Sequence, residues 1–73
     1  MNVTIEEVQA LVRLQLGKRT VADEDRLVED LGAESADLVN IMAAAEDRFG
    51  VSFEGADISK VRTVHELFEF IKR

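Results

Sequence analysis

The sequence predicts an all-α fold, a small four-helix bundle with three main helices, one short helix and a long first loop. Three observations carry this. Apolar residues recur at helical spacing in three separate segments, two of those segments open on a capping box, and the chain contains no proline to interrupt them. The first helix is expected at residues 4 to 16. Thr4 with Glu7 three positions on forms a capping box, Ile5, Val8, Leu11, Val12 and Leu16 make one apolar face, and Gly17 supplies a stop.

From Gly17 to Glu34 helical periodicity lapses, which predicts a long loop holding one short turn. Val21, Leu27, Val28 and Leu31 are its apolar anchors, and Gly32 closes it. The second helix is expected at residues 35 to 49, where Leu38, Ile41, Met42, Ala45 and Phe49 share the core face at about 100° per residue. The opposite face then holds Ala36, Asn40, Ala43, Ala44 and Asp47, with Asp37 beside them, and reads as short, polar and smooth. Gly50 ends the helix. Residues 51 to 56 read as irregular, with Val51 and Phe53 as buried plugs, and Asp57 to Lys60 as one short helical turn. The last helix, expected at 64 to 72, opens on the Thr63 and Glu66 capping box. Val64, Leu67, Phe68 and Ile71 form its stripe, and Lys72 and Arg73 complement the dipole at its end.

Seventy-three residues without low-complexity tracts or repeats fit one domain, residues 1 to 73, which buries only about 60% of its unfolded surface. There is no cysteine, hence no disulfide framework, no thiolate metal site and no thiol of the chain's own. No stretch is apolar enough to span a bilayer and the first residues lack the pattern of a secretory signal, so a cytoplasmic protein with no membrane partner is expected.

The net charge of −6 argues against nucleic acid as a partner. Its distribution is uneven. Residues 27 to 47 hold Glu29, Asp30, Glu34, Asp37, Glu46 and Asp47 and no Lys or Arg, while the rest of the chain balances. An acidic field confined to one segment suits the steering of basic partners to one place.

Two site chemistries fail on the residues. A nucleophile and base pair of Ser35 with His65 lacks an oxyanion site, and His65 reads better as a solvated residue on the last helix, so no catalytic residue is expected. Asp23, Glu24, Asp25 and Arg26 lack the ligand spacing and glycine of a calcium loop, and no metal site is expected. Ser35 by its position alone reads as a helix cap.

The run Glu29-Asp30-Leu31-Gly32-Ala33-Glu34-Ser35-Ala36-Asp37-Leu38-Val39 resembles the attachment site of the acyl carrier proteins, whose usual pattern is Leu-Gly-Ala followed by Asp-Ser-Leu. The likeness extends over nearly the whole chain, through the Glu46-Asp47-Arg48-Phe49-Gly50 run and Lys60-Val61-Arg62-Thr63-Val64. The resemblance implies that a phosphopantetheinyl transferase uses coenzyme A to place a covalent 4′-phosphopantetheine on the Ser35 hydroxyl. The thiol of that arm then carries acyl intermediates of fatty-acid, polyketide or related lipid biosynthesis, and the chain itself catalyses nothing. It further implies acyl-handling partners that bring basic patches to Glu34, Ala36, Asp37, Asn40, Ala43 and Asp47; the oligomeric state stays open, with a monomer as the default expectation. An unmodified interaction module of the same fold, or a peptidyl carrier, is the alternative.

The sequence departs from the family at several positions. Ala36 replaces the usual leucine, and Asn40 and Ala43 stand where glutamate and methionine are common, a pattern that suggests a specialised carrier with dedicated enzymes; Glu34 in place of aspartate keeps the charge and changes only its reach. Ala45 stands for a frequent leucine and Phe68 for a frequent isoleucine. A cluster of Phe49, Phe53 and Phe68 then either reshapes the cleft in which the family shelters acyl chains or, as aromatics more often do, only fills the core.

Overall fold

The computed structural model describes residues 2–72. Helix α1 (Ile5–Leu16) follows the first capping box. The Thr4 hydroxyl accepts the Glu7 N–H at 3.2 Å and Glu7 Oε1 accepts the Thr4 N–H at 3.0 Å. Helix α2 spans Ser35–Phe49 and helix α3 Val64–Ile71. Gly17 and Gly50, in the left-handed region at φ 66° and 68°, end α1 and α2 with backbone N–H groups returned to Arg13 and Glu46.

The short fourth helix is a single 3₁₀ turn, Ile58–Lys60, begun by the Asp57 carboxylate accepting the Ser59 N–H at 3.2 Å. The fold is thus all-α, with three α-helices and one tight turn among the described residues and no strand. At the end of α3, Lys72 turns to Glu69 at 2.9 Å, and Arg73 lies outside the described residues.

Helix α1 packs against both α2 and α3. Val8, Leu11 and Val12 meet Ile41, Ala45 and Phe49 from α2 and Val64, Leu67 and Ile71 from α3 in one buried cluster. Loop residues complete it: Leu27, Leu31 and Ala33 from the first connection, Phe53 and Val61 from the second.

Several side chains lie elsewhere than the periodicity predicts. Val28 is 50% exposed instead of anchoring the loop, Val51 is only half-buried, and Ala44 packs against the core instead of facing solvent. The expected aromatic cluster is rearranged. Phe53 stacks on Phe70, ring centroids 4.6 Å apart at 13°, while Phe68 is half-buried under Lys72, whose Nζ lies 5.3 Å from the ring centre.

The first loop is not loose. Its middle is tied to the start of α3 by three backbone bonds: Leu27 N–H to the Arg62 carbonyl at 2.9 Å, Val64 N–H to Asp25 at 3.0 Å and His65 N–H to Asp23 at 2.8 Å. Residues 27–31 then form the one turn, with Leu31 N–H returned to Arg26 and Gly32 N–H to Val28, both at 3.0 Å. These bonds satisfy backbone groups that an unpaired loop would leave to water.

Candidate functional site

Arg26 fixes the turn that leads to Ser35. Its guanidinium grips Asp30 through two bonds, Nε to Oδ2 at 3.0 Å and Nη2 to Oδ1 at 3.1 Å, and its backbone N–H reaches Oδ2 at 2.8 Å. The Arg26 side-chain bonds, then its backbone N–H, hold the Asp30 carboxyl below its ordinary value, and the pair raises Arg26 in turn. Behind this clamp Leu27, Leu31 and Ala33 are buried, with the Ala33 N–H bonded to the Leu27 carbonyl at 2.9 Å. Gly32 at φ 71° makes the left-handed step that side chains rarely allow. The chain therefore emerges at Glu34 on a fixed path.

Ser35 is the first helical residue and not the cap, which corrects the positional reading. Glu34 is the N-cap, its N–H held by Asp37 Oδ2 at 2.9 Å. The Ser35 side chain is exposed, and no described residue hydrogen-bonds its hydroxyl. At this position the first-turn N–H groups and the positive end of a fifteen-residue helix favour an anion beside the serine oxygen. Glu34 and Asp37 oppose that field at close range.

Ala36, Asn40, Ala43 and Asp47 are all exposed and follow one another at helical steps of four, three and four, so α2 presents them as one stripe. Asp37 is half-buried beside it. The face is less smooth than the sequence reading held, because Val39, one turn beyond Ser35, is 65% exposed. Its signal was present in the sequence: a β-branched residue on the far side of the helix from Ile41.

The acidic segment divides by role. Asp30 and Asp37 hold the turn and the helix start, and Glu46 Oε2 accepts the Phe53 N–H at 2.8 Å, fixing the second connection. Glu29, Glu34 and Asp47 are exposed and form no ion pair among the described residues.

Two pockets flank this region. An open one of about 640 Å³ is walled only by polar and charged side chains, Asp23, Arg26, Arg62 and His65 among them. Ser35 does not line it, and His65 Nε2 faces Glu69 at 3.7 Å, so the structure does not bring His65 and Ser35 together. The smaller, about 260 Å³, has apolar walls from Leu27, Val28, Leu38, Ile58 and Val61. None of Phe49, Phe53 or Phe68 lines it, which corrects the expectation that those rings shape a cleft here. No group of three or more potential metal ligands occurs among the described residues.

Comparison with known proteins agrees with this geometry. Residues 6–71 match the family described as "Phosphopantetheine attachment site". The chain is 35% identical over 69 residues to the acyl carrier protein of Thermotoga maritima, covering 92% of this chain and 85% of that protein. A match over nearly the whole chain to one family and to a relative of like length settles the family: the chain belongs to the acyl carrier proteins, carriers and not enzymes, with phosphopantetheine as the covalent group.

Proposed function

We propose that residues 1 to 73 act as one domain and that the Ser35 hydroxyl is the attachment point of the phosphopantetheine arm. The observation that carries this is the unbonded, exposed Ser35 side chain at the first position of α2, with capping done by Glu34 and Asp37 instead. When bound, the arm supplies the thiol that the sequence lacks and holds acyl groups as thioesters. The chain's own residues do the rest. Gly32 and the Arg26–Asp30 clamp fix the path into Ser35, and the first-turn N–H groups offset the phosphodiester charge.

Glu29, Glu34 and Asp47 attract Lys and Arg on the transferase and on the acyl-handling enzymes. Ala36, Val39, Asn40 and Ala43 give those enzymes a face with little charge of its own, on which Val39 is the apolar contact. Such a face suits a dedicated set of enzymes, in polyketide or lipid-modifying chemistry, better than general fatty-acid synthesis. Among the described residues no helix is long and apolar enough to cross a membrane.

The test is intact-protein mass after incubation with coenzyme A and a phosphopantetheinyl transferase. The wild type gains one arm and Ser35→Ala gains none. An unmodified wild type would instead indicate an interaction module that keeps the fold without the arm.

A further inference from the structure

We propose that the groove between α1 and α2 at Leu14 is a second docking surface, one that takes an amphipathic partner helix with an apolar ridge and acidic flanks. Leu14 is 70% exposed, more than any other large apolar side chain among the described residues. It does not stand alone. With Leu11 and Gln15 from α1 and Ala44, Asp47 and Arg48 from α2, it walls an open groove of about 180 Å³, enough for an apolar side chain. The 11, 14 and 15 spacing puts the three α1 residues on one helical face. Helices α1 and α2 pack against each other, so their outer sides leave a trough into which a third helix lays its own ridge.

The charge around the groove selects the partner. From Val8 to Ala22 the chain has no Asp or Glu, and Arg13, Lys18 and Arg19 fall within that stretch. All three are exposed, as is Arg48 on the α2 wall, and none forms an ion pair among the described residues. Bases near a helix C-terminus answer its dipole, which accounts for Arg13 and Arg48 in the last turns, but Lys18 and Arg19 lie beyond the Gly17 cap. The groove's single carboxylate, Asp47, is where it adjoins the α2 stripe. The sign thus reverses between the two surfaces: basic enzymes are drawn to Glu29 and Glu34, and carboxylates to this groove. A helix seated here leaves Ser35 open, because the α2 wall begins at Ala44, about 14 Å along the helix axis from the serine.

Two other occupants fit less well. A stable pair of copies covers about 800 Å² on each, roughly a sixth of the 4728 Å² surface and far more than this groove offers, and two chains of net charge −6 repel. An anionic lipid surface repels the same charge and gains one leucine.

The test titrates two synthetic amphipathic helices, one with a leucine ridge flanked by Glu and its counterpart flanked by Lys, into the isotope-labelled full chain. The Glu-flanked helix should move the NMR signals of Leu11, Leu14, Gln15, Ala44 and Arg48. Its Kd should rise about tenfold between 0.1 and 1 M salt, as the range of charge shrinks from about 10 to about 3 Å. Leu14→Gln, an exposed change that leaves Tm unaltered, should weaken binding about tenfold, and so should an Arg13→Gln, Lys18→Gln double variant. Transferase modification of Leu14→Gln should proceed at the wild-type rate. Groove signals that stay still with the Glu-flanked helix, equal or tighter binding of the Lys-flanked helix there, or an unchanged Kd in the Leu14 variant overturns the proposal. Self-association through the groove in sedimentation, or binding to phosphatidylglycerol vesicles that Leu14→Gln abolishes, also overturns it and assigns the surface to a second copy or to lipid. None of these results alters the mass gained at Ser35, so attachment of the arm stands or falls separately.

Discussion

Gly32 stands three residues before Ser35 at φ 71°, with no atom within 4 Å of where a side chain would project. Gly32→Ala therefore meets no steric neighbour and costs only backbone strain, about 1 to 2 kcal/mol. Urea unfolding should show that loss, and transferase modification of Ser35 should slow with it, because the path into α2 shifts. Two carboxylates nearby tie stability to pH. Glu66 is held below its ordinary 4.5 chiefly by the Arg62 N–H, with Thr63 adding to it, and Asp30 below its ordinary 3.8 by Arg26. Each binds a proton more readily when unfolded, so its stabilisation is complete above the ordinary value and is lost as pH falls through the lowered native one. Tm should hold level down to about pH 4.5, the ordinary value for Glu66, and fall below it, with Glu66→Gln flattening the upper part of that fall. At this scale the sequence was partly legible. Ser35 was visible as the first residue of a helix, but its neighbours' capping was not, because Glu34 is an uncommon cap and its partner Asp37 reads first as surface charge.

Among the elements, the helices were the most legible part of the chain. Thr4 with Glu7 and Thr63 with Glu66 both form the reciprocal boxes their spacing predicts, and Gly17 and Gly50 stop α1 and α2 where the stripes end. Thr63→Ala should cost about 1 kcal/mol in denaturant unfolding. The connections were harder to read. The bonds from residues 23–27 to 62–65 join segments far apart in sequence, and backbone pairing of that kind leaves no mark on hydropathy. Leu27, 1% exposed at the centre of that junction, looked no different from Val28, which is half-exposed beside it. Leu27→Ala should cost about 2 to 5 kcal/mol, and Val28→Ala well under 1 kcal/mol, in the same unfolding experiment. The aromatic pairing was equally hidden: α3 carries Phe68 and Phe70, and which ring meets Phe53 depends on where the second connection crosses the helix.

For the molecule as a whole, charge and carrier function meet in one segment. The acidic residues between 27 and 47 are split between holding the fold, as Asp30, Asp37 and Glu46 do through hydrogen bonds, and facing solvent, as Glu29, Glu34 and Asp47 do, exposed and outside any ion pair among the described residues. Their field extends about 10 Å at 0.1 M salt and about 3 Å at 1 M. Association with the transferase should therefore slow about tenfold or more across that range, and a Glu34→Gln, Asp47→Asn double variant should show a shallower salt dependence in stopped-flow kinetics. The family itself was legible from the run around Ser35, whereas the pocket beside Leu38 was not, since its walls come from three separate parts of the chain. The most direct measurement of the central claim is peptide mapping of the transferase-treated protein by fragmentation mass spectrometry. The arm is expected on the α2 peptide at Ser35 alone, and its appearance on any other hydroxyl, or on the Ser35→Ala protein, would contradict the account.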